Sequence, residues 1–513
     1  MHFKNKITNE RSYNTGGSEA SSLESDRGRI INSAALRRLQ QKTQVFPLER
    51  NAAVRSRLTH SLEVQQNGRY IAKKIVDALV LQGRQDLLQY EDKNGQQVDL
   101  SECLVTLSEM ACLMHDIGNP AFGHFGEAAI NDWFKRYLSQ HQQFAKSARA
   151  ALRYGSKESK ASDLAVLNQE MELLLDICSF EGNAQAIRVI HTLSRLNLTY
   201  SQCATVMKYT RCATTPKSTV AIDKSYLQKK AGYYFSESDF VSELCDKLQI
   251  QVGNRHPVTY IMEAADDIAY CLADMEDAVE KGIISVDELT GCLIEEYQNI
   301  AAGFGITDDK LLELMSKKLH YANDKASKHM ANFDNEFFIW LRVGLLHPLA
   351  EHAKTRFIDN IGAIYEGSFN ASLLEDNSHL HAIVKSLKTV AANKVFSNKE
   401  VEQLELQGYK ITSSILNEYQ RVLDLNADEF NAALNGDHDF AIESRLINRI
   451  SKKYVAVYRE TVAQLSDAEQ AEPIFEFYYR CRLIQDFISG MTDQFAYDTY
   501  RALTALGTTS ASL

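Results

Sequence analysis

The sequence predicts an all-α protein, a helical bundle core with additional peripheral helices. Proline and glycine are sparse, 6 and 24 among 513 residues, too few to punctuate a turn-rich β architecture. Apolar residues also recur at intervals of three and four along most of the chain, the spacing of one helix face. With 45% hydrophobic and 24% charged residues, the composition is that of a globular protein able to bury a sizeable core.

Residues 1–26 are polar and rich in Ser, Gly and Asn, and are expected to form a flexible N-terminal segment. Val64, Gly68, Ile71, Ile75 and Leu79 then mark an amphipathic helix beginning near His60. Leu104, Leu107, Ala111 and Met114 mark a second, which ends at His115–Asp116 because Gly118 and Pro120 break it. Residues 139–170 are charged and weakly periodic, as expected of an insertion or an exposed excursion. Val258, Ile261, Ala265, Ile268, Leu272 and Met275 mark a third strong helix, opened by Pro257 and closed near Gly282. Residues 27–280 are therefore expected to form the core. Residues 281–505 should form a helical region that packs on it and mediates oligomerisation, and 506–513 a flexible tail.

Chemistry concentrates at the end of the second helix. An imidazole and a carboxylate side by side, His115 and Asp116, offer mixed nitrogen and oxygen donors to one cation. Four ligands from three helices would complete such a site: His60, His115, Asp116 and one carboxylate of the Asp266–Asp267 pair. On the third helix Glu263, Asp266, Tyr270, Asp274 and Asp277 share a face. A solvated acidic stripe is the ordinary reading of that spacing. Asp266 lies in an otherwise apolar turn, however, where an unpartnered carboxylate would be costly. His124 and Glu127, three residues apart, are placed to handle protons on a metal-bound substrate.

Several classes are excluded. The 9 cysteines contain no CxxC pair, which argues against a zinc cage or disulfide framework and for reduced thiols in a cytoplasmic protein. No apolar run reaches the length of a membrane span, and the N-terminal MHFKNKITNER lacks a signal-peptide core. A net charge of −11 excludes a general nucleic-acid coat but not a local basic pocket. There is no GxxxxGKS/T loop for γ-phosphate cleavage and no GxSxG elbow.

Seven stretches carry a family resemblance: RRLQQKTQ (37–44), RLTHSLEV (57–64), HDIGNPAFGHFGE (115–127), FEGNAQ (180–185), KYT (208–210), GYYFSE (232–237) and EAADDIAY (263–270). They resemble the HD-domain metal-dependent phosphohydrolases and, within that superfamily, the bacterial deoxyguanosine triphosphate triphosphohydrolases (dGTPases). The likeness extends from about residue 27 to past 450 and implies an HD-type catalytic core over 27–280. It implies metal ligands His60, His115, Asp116 and Asp266, with Mg or Mn as the cofactor, and catalytic residues His124 and Glu127. It also implies substrate contacts from Gln44, Arg57, Lys208, Lys230, Tyr270, Asp274 and Arg356.

A nucleoside triphosphate needs cations and a metal to offset repulsion from these carboxylates. Arg57, one turn before His60, would aim at a phosphate, with Lys208, Lys230 and Arg356 as further cations. Tyr270 would flank the deoxyribose and exclude a 2′-hydroxyl, Asp274 would accept from the 3′-hydroxyl, and Gln44 would contact sugar or base. Glu181, Asn183 and Gln185 are either further contacts or helix-capping groups.

The implied reaction is water attack at the α-phosphorus of dGTP, releasing deoxyguanosine and intact triphosphate. The alternatives are an HD phosphohydrolase acting on several dNTPs or on a nucleoside monophosphate, and a non-catalytic nucleotide or single-stranded DNA binding module. The resemblance further implies a hexamer and a single-stranded DNA effector; Glu443, Arg445 and Arg449, far along the chain from the site, either reach a neighbour's pocket or form an ordinary helix face with paired charges.

Overall fold

The computed structural model describes residues 1–13, 16–155 and 168–504. Helices build nearly all of it, as expected for an all-α protein. The strands described are two short pairs, Gln89–Glu91 antiparallel to Gln97–Asp99 and Arg211–Cys212 parallel to Ala231–Tyr233.

The first amphipathic helix is Arg57–Leu81. Ser56 and Thr59 form a reciprocal capping box that fixes its first turn, and so places His60 at a set height. The second is Ser101–Met114, whose last eight residues are all buried. The third is Pro257–Glu280, with Pro257 in its first turn and His256 capping the amide of Val258. Gly282 follows at φ +70°, a turn that favours glycine. These three helices pack against one another, and Phe333–Asp359 covers the first and third.

Buried side chains form two clusters. One unites Val64, Ile71, Leu104, Leu107, Ile261 and Ile268 with Leu289, Leu341 and Leu387. The other unites Met114, Ile130, Phe134, Ile177 and Ile187 with Leu416, Tyr478 and Ile484. The Ser101–Met114 helix feeds both, Leu104 and Ala111 to the first and Met110 and Met114 to the second. Its end, His115–Asp116, therefore lies where the two clusters meet. Residue 280 is not a packing boundary: segments after it join both clusters.

The expected flexible segment over 1–26 is instead packed where it is described. Phe3 and Ile7 are buried, and the ammonium of Lys6 donates to the carbonyls of Leu248 and Gln249. Arg11 pairs with buried Asp26 at 3.2 Å. Polar composition hid this because Lys6 and Arg11 are held by backbone carbonyls and a carboxylate, while only a few apolar residues, Phe3 and Ile7 among them, join the first cluster. Within the segment expected as an insertion, Ala145–Tyr154 and Gln169–Ile177 pack into the second cluster. Residues 156–167, and the tail expected over 506–513, lie outside the described residues.

Close approach of the first two helices depends on Gly68, where an added Cβ would sit 2.3 Å from the Cys112 sulfur. Gly68→Ala is expected to lower stability by about 1–3 kcal/mol through overpacking. Cys112→Ala in the same chain should recover part of that loss in thermal melts. Strictly additive losses would show that this contact does not set the spacing.

Candidate metal and phosphate site

Two imidazoles and a carboxylate converge at the meeting point of the three helices. His60 Nε2 lies 3.3 Å and His115 Nε2 3.4 Å from Asp266 Oδ1. His60 is fully buried, and the rings of His60 and His115 meet edge to face, 5.5 Å apart. His115 Nδ1 donates to the carbonyl of Cys112 at 2.7 Å, which leaves the Nε2 lone pair facing Asp266. That is the arrangement of an imidazole metal ligand steadied by its own helix. The three donors lie within 4.8 Å of one another, and the donor set fits a divalent cation.

The structure chooses between the paired carboxylates. Asp266 faces the histidines, whereas Asp267 accepts from Lys388 at 3.0 Å. Burial pushes the Asp266 carboxyl up, but His115, His60 and Lys208 hold it far below the usual range. Asp116 stands at the edge of this group, with Oδ1 3.7 Å from His115 Nε2. Its Oδ2 accepts from Arg57 at 2.7 Å, and Asn119 donates to Oδ1. The tight group is thus His60, His115 and Asp266, and Asp116 joins it turned toward Arg57.

The site opens into a cavity of about 420 Å³, within the range of small-molecule sites. Gln44, Arg57, His115, Asp116, His124, Glu127, Lys208, Lys230, Asp266 and Tyr270 all line it. Lys208 Nζ lies 3.5 Å from Asp266 and 3.8 Å from Glu263. Burial opposes its charge, but Asp266, Glu263 and Asp267 keep it protonated. Lys230 pairs with Glu181 at 3.0 Å. The Gln44 Oε1 oxygen is buried without a hydrogen-bond partner among the described residues.

His124 is exposed to the cavity, and its Nδ1 lies 3.1 Å from Glu127 Oε2. The other oxygen of Glu127 accepts the backbone N–H of Gly182 at 2.8 Å. Burial pushes the Glu127 carboxyl up, but His124, Lys230 and that amide hold it ionised. Glycine is needed at 182, where a Cβ would lie 2.0 Å from the Asn119 side chain and 3.0 Å from Glu127. Gly118 likewise lets its loop reach within a Cβ radius of the Gly182 carbonyl. The FEGNAQ and HDIGNP stretches are therefore two sides of one contact.

Asp274 is fully buried and does not line the cavity, and both its oxygens lack a hydrogen-bond partner among the described residues. Arg356 requires a correction. It pairs with Asp376 at 3.3 Å, donates to the Glu375 carbonyl and stacks near Phe369, away from the cavity. Its position late in a long helix gave no sign of that competing partner. Glu181 and Asn183 line the cavity, but Gln185 turns away to donate to Asp486. Glu443 accepts from Arg421 and Arg445 donates to Ala441; neither these two nor Arg449 lines the cavity.

The solvated-stripe reading of the acidic helix face fails. Glu263 accepts from Arg255 at 2.7 Å and from Tyr226 at 2.9 Å, and Asp277 accepts from Arg55. Glu263, and Lys42 whose ammonium donates to the carbonyl of Asn119 beside Asp116, are contributors that the sequence left without a role. The signal for Glu263 was its register with Asp266; for Lys42, its place within RRLQQKTQ.

An HD-domain model matches residues 57–181, the stretch that carries His60, His115, Asp116, His124 and Glu127. The chain is 45% identical to a deoxyguanosinetriphosphate triphosphohydrolase of Salmonella paratyphi A, across 99% of both chains. It is 46% identical to that of Enterobacter sp. (strain 638), again across 99% of both. The chain belongs to the deoxyguanosinetriphosphate triphosphohydrolase family. It is 48% identical to a probable member from Pseudomonas aeruginosa, over 94% of this chain and 93% of the relative. Family membership makes it a metal-dependent phosphohydrolase, in keeping with the His60, His115 and Asp266 cluster. Among the described residues no helix is long and apolar enough to cross a membrane.

Burial raises the Asp274 carboxyl to about 8, with Asp277 and Asp266 adding to it against His60. Folded chain then keeps a proton that unfolded chain releases near 3.8. The stabilising effect is complete below that value and declines as pH rises toward 8, by at most about 1.4 kcal/mol per pH unit. In metal-free protein, Asp274→Asn is expected to flatten the fall in melting temperature between pH 5 and pH 8. An unchanged slope would mean that the buried carboxyl titrates normally.

Proposed function

We propose that the protein hydrolyses dGTP to deoxyguanosine and inorganic triphosphate, with water attacking the α-phosphorus. The observation that carries this reading is a three-donor cation cluster at the wall of a nucleotide-sized cavity that also holds Arg57, Lys208 and Lys230. The names of the relatives supply the substrate.

His60, His115 and Asp266, with Asp116 beside them, would hold the ion. Mg or Mn is the proposed ion, and when bound it polarises a phosphoryl oxygen. Arg57, Lys208 and Lys230 neutralise the triphosphate chain. Tyr270 packs at the deoxyribose with the buried Asp274 behind it, and Gln44 satisfies its buried oxygen on the sugar or base. Water adds to the α-phosphorus in line as the bond to the 5′-oxygen breaks. His124 handles the proton that passes from the water to the departing 5′-oxygen, and Glu127 holds the imidazole in place through Nδ1. The reading includes a homo-oligomer, a hexamer by resemblance, and a single-stranded DNA effector.

The test is incubation with each dNTP and NTP under Mg and under Mn, with the phosphate product identified. Intact triphosphate from dGTP is expected. Orthophosphate or pyrophosphate, or equal turnover of every dNTP, would replace this reading with a broader or different hydrolase. His124→Ala should lower kcat by about 10²- to 10⁴-fold while Mn binding, followed by calorimetry, is retained. Full turnover by that variant would remove the proton-transfer role.

A further inference from the structure

Two chain segments far apart in sequence form the rims of the cavity. One carries Thr43 and Gln44, the other Asn119, Phe122, Gly123 and His124. The second is held in an unfavourable backbone shape: Phe122 has φ +60° and Gly123 φ +54°, and a non-glycine residue adopts that region only when its surroundings impose it.

The imposing group is a carboxylate near the far end of the chain. Asp493, at the start of the Asp493–Leu503 helix, is 2% exposed. Its Oδ2 accepts from the Thr43 amide at 3.0 Å and the Thr43 hydroxyl at 2.5 Å. Its Oδ1 accepts from the Phe122 amide at 3.1 Å. One carboxylate therefore closes both rims. Four residues earlier the carbonyl of Ser489 accepts from Lys42 at 2.9 Å, and the same ammonium donates to the carbonyl of Asn119. Asn119 in turn donates to Asp116. From the far side Gly408 leaves room for the Phe122 ring, since a Cβ there would lie 2.6 Å from it.

We propose that Asp493 is a positioning residue for the reaction. Through Phe122 it sets the loop that presents His124, and through Thr43 the rim that presents Gln44; the inference rests on the triphosphohydrolase reading above. It touches no substrate. Its effect is geometric, because displacing a reacting group by about 1 Å costs on the order of 10²-fold in rate.

The experiment uses the full-length chain and dGTP with Mn. Wild-type turnover to triphosphate is the control for the functional reading, and its absence would sink that reading rather than this one. Asp493→Ala should lower kcat by about 10- to 100-fold, at a temperature where its melting curve shows full folding, with Mn binding unchanged. Asp493→Asn, which keeps the shape and one acceptor oxygen, should fall between it and wild type, and serves if the alanine variant does not fold. Thr43→Val, which loses only the hydroxyl contact, should raise KM several-fold and leave kcat within about twofold. A purely structural role would not divide kcat from KM between these two positions. Wild-type kcat in both Asp493 variants, or a deficit that only tracks the unfolded fraction, would overturn the proposal.

Discussion

Three helices must meet so that two imidazole nitrogens and one carboxylate oxygen face each other across about a hydrogen-bond length, and the rest of the molecule is arranged around that demand. His60 and His115 both point at Asp266 Oδ1, in a place sealed from bulk water on the His60 side. Donors so buried are costly unless a cation or a proton sits among them. The helix starts and stops have to be fixed for this to work. The Ser56–Thr59 capping box sets the height of His60, the end of the second helix at Met114 sets that of His115, and Pro257 starts the run that delivers Asp266. Gly68 then lets the first two helices close on each other.

Around this centre the chain buries several carboxylates, and four of them are answered by cations. Arg255 answers Glu263, Arg55 answers Asp277, Lys388 answers Asp267 and Arg57 answers Asp116. Removing one member of such a pair leaves an uncompensated buried charge, which is far more damaging than losing a surface bridge. The same pairing explains how a chain of net charge −11 presents a cavity lined by three cations. Arg57, Lys208 and Lys230 are drawn there by neighbouring acids, and a phosphate chain has only to compete for cations already in place.

The His124–Glu127 pair depends on a different device, close approach of backbone. Glu127 is fixed between His124 and the amide of Gly182, and side chains at 118 or 182 would push the two loops apart. Helix Lys399–Leu423 and the C-terminal helices press on the same loops from the second buried cluster. Residues from about 400 onward thus belong to the architecture of the cavity, although His60, His115, Asp266 and the His124–Glu127 pair all lie earlier in the chain.

Much of the centre was legible in the sequence because it is written in local terms. Helical spacing, the breakers after Asp116 and the adjacency of His115 and Asp116 depend only on neighbours along the chain. So does the three-residue spacing of His124 and Glu127. What the linear chain left open was decided by partners hundreds of residues away. Lys388 separated Asp267 from Asp266, and Asp376 claimed Arg356. Burial of Phe3, Lys6 and Ile7 turned a polar N-terminus into part of the body. Residue type and spacing determine which groups an element presents, since they fix its period and its ends. Which of those groups meet is decided only when packing brings distant segments together, because a charge's partner and its access to water belong to the folded neighbourhood and not to the residue.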